Sequence, residues 1–225
     1  LGKKILRHSF AALRRWSHFC CYAIQSTKII LVMAKVTSKA APKKAASKTR
    51  ATKAPAASEE SMLRDLFIEE LKDIYWAEKH LTKAMPKMRK GATSEELAGA
   101  FETHLAQTAE QISRIEEVFG LLEMPVRAKK CDAMEGLVKE AQSVLEDTPK
   151  GSSVRDVALI IQAQKIEHYE IASYGSLVQL AKTMGETEIA DLLQTTLDEE
   201  KETDVLLTEL AESGINISAD NETED

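Results

Sequence analysis

From Ser61 to Leu210 apolar residues recur every three to four positions through four long segments, a period that only helices can turn to one side. The first segment carries Leu63, Leu66, Phe67, Ile74, Leu81, Met85 and Met88 and ends near Gly91. The second opens on a Ser94 cap and places Leu97, Phe101, Leu105, Ile112, Ile115 and Phe119 inside. The third starts around Ser152 and Ser153, carries Val157, Ile160, Ile161, Ile171, Tyr174 and Val178, and stops before Gly185. The fourth carries Ile189, Leu193, Leu197, Leu207 and Leu210 and stops at Gly214. Aromatic residues make up 5%, and the whole chain has nine glycines and five prolines, too few turn signals for a sheet protein.

The connections decide the topology. Short links join the first segment to the second and the third to the fourth, which makes each pair an antiparallel hairpin. The middle link is long enough to run back along the bundle, and Met134, Leu137, Val138, Ala141 and Leu145 predict a short helix within it. Two hairpins joined by one long crossover define an all-α, ferritin-like antiparallel four-helix bundle over residues 61–212, with a short fifth helix in the crossover. Residues 213–225 are acidic and lack an apolar period, so a frayed tail is expected there.

Charge divides the chain sharply. Residues 1–58 hold 13 of the 30 basic residues and none of the 36 acids, so this stretch carries +13 and the remainder −19. Residues 1–60 therefore read as a basic, disordered extension, too polar over 34–58 to bury a core. Residues 1–32 are mixed apolar and basic, and the sequence from Met33 resembles a natural start; a mitochondrial presequence is the rival reading. The Lys/Ala-rich stretch 34–58 suits either nucleic-acid phosphates or another acidic surface, or serves only as a solubilising extension. No membrane span is expected, because Arg14, Arg15, His18, Gln25 and Lys28 interrupt every apolar run. Cys20, Cys21 and Cys131 cannot build a disulfide framework, which points to a reducing compartment.

The residues that interrupt the apolar stripes are the informative ones. Glu78, His104, Glu167 with Glu170, and Glu200 each fall on the inward face of a different segment. Glu78 and His104 lie equally far from Gly91, and Glu170 and Glu200 equally far from Gly185, so the hairpins put these groups at one level. Several carboxylates buried together cost several kcal/mol per ion, roughly, unless protonated, paired or bound to a cation. Oxygen ligands with one imidazole suit iron or manganese, as one ion or two, with Glu170 bridging and Glu78 and His104 sharing one ion. The alternative is a polar network satisfied by hydrogen bonds. Glu70, Asp73, Glu199 and Asp204 are less well placed, and Asp204 is either a ligand or a lysine partner. Tyr75, Tyr169 and Tyr174 read as core or supporting groups, and Cys131 as packing.

The runs DIYWAEKHLTKAMPKM, FETHLAQT, KKCDAMEGL, QKIEHYEIASYGSL and TLDEEKETD resemble the YciF-like stress-protein family of the ferritin-like superfamily over residues 61–212. The resemblance implies a dimeric, bacterial, cytoplasmic helical bundle with a loosely defined metal site and no established reaction. Di-iron bundles usually carry two Glu-x-x-His motifs, whereas here His104 is followed by Gln107 and Glu200 by Thr203. That thinner set leaves a weak two-metal site, a single-metal site or a relic open. If the centre is catalytic, an oxidase or peroxidase-like reaction on oxygen or peroxide is expected, and it needs an open coordination position. If it is not, the chain is a dimeric scaffold whose basic tail docks on nucleic acid or another acidic surface.

Overall fold

The computed structural model describes residues 61–223, and these form helices and connections with no strand among them. The helices are α1 (Met62–Gly91), α2 (Glu95–Leu121), α3 (Asp132–Asp147), α4 (Ser153–Met184) and α5 (Thr187–Leu210). Ser61, Ser94 and Ser152 cap α1, α2 and α4, each Oγ accepting the backbone N–H three residues on. Caps of this kind contribute about 1 kcal/mol each. Gly185 ends α4 with φ 80, a left-handed conformation that glycine adopts without a Cβ clash.

Helix α1 packs on α2, α2 on α5, α5 on α4, and α4 back on α1, which closes the four-helix ring. Asp156 in the first turn of α4 accepts hydrogen bonds from the backbone N–H groups of Thr93 and Ser94, both at 2.7 Å. Helices α2 and α4 thus begin at the same end, and every neighbouring pair in the ring runs antiparallel. The crossover helix α3 lies against α1 and α4 and buries Met134, Val138 and Ala141. At Gly91 a side chain would run into Leu145, so glycine there lets the end of α1 approach the end of α3.

Two apolar clusters form the core. The larger includes Phe67, Leu71, Ile74, Ile115, Phe119, Tyr174, Leu177, Leu193 and Leu197. The smaller includes Met88, Leu97, Phe101, Leu159, Ile160 and Leu207. Each fully buried side chain of this size stabilises the fold by roughly 1.5–3 kcal/mol. Along α2, α4 and α5, the polar layer around His104, Glu167 and Glu200 falls between the two clusters.

Three expectations change. Leu66 and Ile161, read as inward, are each 49% exposed: Phe67 and Ile160 hold the buried positions, and one residue further round a helix is about 100° away. The C-terminal segment does not fray at residue 213; a π turn (Ala211–Ile215) leads into α6 (Asn216–Asp220). Leu210, Ala211 and Ile215 pack on the smaller cluster, and Glu222 Oε2 accepts from the Val154 N–H at 3.1 Å, at the positive N-terminus of α4. The apolar period is broken at Gly214, whose backbone is not helical, and this hid the continuation. The calls on residues 1–60, including the start at Met33 and the nucleic-acid contact of 34–58, lie outside the described residues. Among the described residues, no helix is long and apolar enough to cross a membrane.

Candidate metal centre

At mid-length the ring brings together His104 of α2, Glu167 and Glu170 of α4 and Glu200 of α5, each offering one ligand atom within 4.8 Å of the others. His104 Nε2 lies 3.4 Å from Glu167 Oε1 and 3.8 Å from Glu200 Oε2. Glu78 of α1 is fully buried beside this group but does not belong to the tight set. Its Oε1 accepts a hydrogen bond from the Tyr174 hydroxyl at 2.5 Å, while Oε2 has no partner. Glu78, expected to share one ion with His104, thus lies outside the group in which His104 is found. The imidazole belongs with Glu167, Glu170 and Glu200, and Glu78 stands to the side because Tyr174 anchors it.

The polar accounting is the unusual feature. Glu78 Oε2, His104 Nε2, Glu167 Oε2, both oxygens of Glu170 and both of Glu200 are buried without a hydrogen-bond partner. Buried polar groups are normally paired, and each unpaired one costs roughly 1–3 kcal/mol. Burial is the first cause of the electrostatic strain, and mutual repulsion the second. Glu78, Glu167 and Glu170 are pushed well above the usual carboxylate range by desolvation and then by one another and Glu200. Desolvation raises Glu200 to about 7, and it lowers His104 to about 4. A cation reverses both effects, because it favours ionised carboxylates and an unprotonated imidazole. The donor set fits such an ion better than it fits the hydrogen-bonded network that was the alternative.

The surroundings orient the ligand atoms. Thr203 Oγ1 donates to the Glu199 carbonyl at 3.1 Å and stands 3.4 Å from His104 Nδ1. With its proton on that carbonyl, the hydroxyl can accept from a protonated Nδ1, the tautomer that leaves Nε2 as a bare base facing the carboxylates. Thr203, which replaces the histidine of the usual motif, thus supports the histidine of a neighbouring helix. Glu199 points away and is held by Arg114 at 2.6 and 2.7 Å, with Gln111 Nε2 donating to it at 3.2 Å. Gln111 Oε1 is also buried without a partner.

Gln111, Arg114 and Thr203 were not predicted as site residues. Gln111 lies seven residues after His104 and four before Ile115, on one stripe, so periodicity could have found it. The less favoured acids also find places. Asp204 pairs with His168 at 3.4 Å and accepts from Gln164, so it is neither in the tight ligand group nor a lysine partner. Asp73 accepts from the Tyr169 hydroxyl at 2.8 Å, and Glu70 is exposed. Cys131 is buried and does more than pack, since its Sγ caps α3 through the Met134 N–H and lies 3.0 Å from the Tyr169 oxygen.

Fold and site together define a class: ferritin-like helical bundles with a buried cluster of carboxylates and one histidine at mid-length. Residues 62–220 match a family model described as a domain of unknown function, DUF892. Protein YciF of Escherichia coli strain K12 is 48% identical over 160 residues, spanning 71% of this chain and 96% of that protein. The chain belongs to the YciF-like family. The crystal structure of the E. coli stress protein YciF superimposes with a TM-score of 0.66, covering 69% of this chain and 98% of that one. YcfI of Rhodopseudomonas palustris, provisionally named a structural protein, is 37% identical with a TM-score of 0.64, covering 68% and 97%.

Proposed function

We propose that this YciF-like stress protein holds iron or manganese at mid-bundle through His104 Nε2, Glu167, Glu170 and Glu200, with Glu78 available to a second ion. The observation that carries this reading is the set of seven partnerless buried donor and acceptor atoms on those five residues. Bound iron or manganese would supply redox chemistry toward oxygen or peroxide, which suits an oxidative-stress role. The chain's own part is to exclude water, fix the imidazole tautomer through Thr203 and hold Glu78 through Tyr174. Both oxygens of Glu170 and both of Glu200 are unclaimed, so each of these carboxylates has two ligand atoms to offer if two ions bind.

Titration calorimetry with Mn(II) and anaerobic Fe(II) tests the reading. Saturable binding is expected for the native chain and a loss of at least about tenfold in affinity for Glu170→Gln, the scale seen when a metal's supporting groups are altered. Identical titrations of the two proteins would remove the ligand assignment.

A second reading rests on the charge split of +13 against −19. In it the bundle is a cytoplasmic, homodimeric scaffold, and residues 34–58 bind nucleic acid or another acidic surface. Exposed Ile161, Val205 and Leu206 on α4 and α5 supply apolar surface for a second copy. Truncation at Ser58 should abolish a salt-sensitive shift of duplex DNA. Retention of that shift would refute the tail's role.

A further inference from the structure

At the end of the bundle where α1 stops and α4 starts, α1, α3, α4 and the turns before α2 and α4 leave a cavity of ≈ 440 Å³. Its lining includes Lys87 and Lys90 of α1, Thr93 of the following turn, Leu145 of α3, Lys150 and Arg155. Four of the lining residues are basic and none is acidic. This is unexpected in a region whose net charge is −19 over residues 59–225.

Arg155 is the decisive residue. It is 5% exposed, yet among the described residues no carboxylate pairs with it. Its Nε donates to Thr148 Oγ1 at 3.1 Å and its Nη2 to the Leu145 carbonyl at 3.0 Å and the Thr148 carbonyl. All three acceptors are neutral, and Nη1 has no partner among the described residues. The adjacent buried acid forms no ion pair with it; the two oxygens of Asp156 accept instead from the Thr93 and Ser94 N–H groups. Lys87, Lys90 and Lys150 form no ion pair among the described residues, whereas nearby Arg89 is paired with Glu102 at 2.9 Å. A buried guanidinium is costly without a counter-charge, and Nη1 keeps both of its N–H donors for an oxyanion in the cavity that Arg155 lines. The volume lies within the range of small-molecule sites and exceeds what a single inorganic ion fills.

We infer that this cavity is a binding site for a phosphate-bearing small molecule, with Arg155 as the buried anchor and Lys87, Lys90 and Lys150 closing round the phosphoryl oxygens. The site is separate from the proposed metal centre: Gly91 lies thirteen residues beyond Glu78 along α1, about 20 Å at the helical rise.

The test is calorimetric titration of the full chain in chloride buffer with inorganic phosphate, pyrophosphate and glycerol phosphate. Saturable binding is expected, competed by sulfate, and weakened at least about tenfold in the variant carrying Lys87→Gln, Lys90→Gln and Lys150→Gln. These three side chains lie on exposed positions, so the variant should unfold at the same temperature as the native chain without ligand. Tighter binding of glycerol phosphate than of phosphate would assign an organic phosphomonoester, and equal binding would assign free phosphate. Glu200→Gln should bind phosphate unchanged, which separates this site's fate from that of the metal centre. The inference is overturned if none of the three ligands saturates at millimolar concentration, if the triple variant binds as well as the native chain, or if only duplex DNA binds.

Discussion

Tyr174 donates its phenolic proton to Oε1 of Glu78 at 2.5 Å, across the α4–α1 contact and with both side chains fully buried. This bond explains why Glu78 stands beside the tight group and not within it. In Tyr174→Phe the Oε1 of Glu78 loses its partner and joins Oε2 in having none, and a loss of about 1–3 kcal/mol is expected in the metal-free protein. Urea unfolding would show it as a lower midpoint at unchanged slope. An unchanged midpoint would mean that the bond contributes nothing to holding Glu78.

The cluster also predicts how stability depends on pH. Glu200 rises from 4.5 to about 7 on folding, and Glu78, Glu167 and Glu170 are raised as well. Raised acids contribute stability that is present below the unfolded value and lost as pH rises through the folded one. His104 has the opposite sign: lowered from 6.5 to about 4, it contributes stability above 6.5 that is lost as pH falls toward 4. Four carboxylates outweigh one imidazole, so the metal-free chain should lose stability as pH rises from about 4.5 through about 7, the span of the Glu200 shift. Thermal melts of the native chain and Glu200→Gln across that range would check this, with the variant showing the shallower decline. Parallel curves would show that Glu200 does not titrate in this window.

Much of the buried polar layer was readable in the chain because hairpins convert sequence distance into depth. Gly91 and Gly185 mark the two turns, and counting outward from them placed Glu78, His104, Glu170 and Glu200 at one level. Azimuth was harder to read. Leu66 and Ile161 each lie one residue beyond the buried stripe, and stripe width does not say which edge residue meets solvent. The partnership of Thr203 with His104 and that of Arg114 with Glu199 depend on contacts between helices α2 and α5, which no local period reports. The basic cavity was invisible for the same reason, since Lys87, Lys150 and Arg155 are brought together only by the packing of α1, α3 and α4.

Thr203 offers a test of orientation without loss of a ligand. Thr203→Val keeps the shape but removes the oxygen that stands 3.4 Å from His104 Nδ1. Metal affinity is expected to fall by about 10–100-fold, the range for altered supporting groups, while helicity stays the same. Nitrogen-15 chemical shifts of the imidazole would report the tautomer directly. A native tautomer in the variant would contradict the role assigned to the hydroxyl.

The central claim is that a cation compensates for the buried ionisable groups at mid-bundle. Elemental analysis of the native chain, Glu78→Ala and Glu200→Ala, each purified without chelator, addresses it most directly. The account predicts stoichiometric iron or manganese in the native protein, a clear reduction in Glu78→Ala and near absence in Glu200→Ala. Equal, near-zero metal in all three proteins would contradict it.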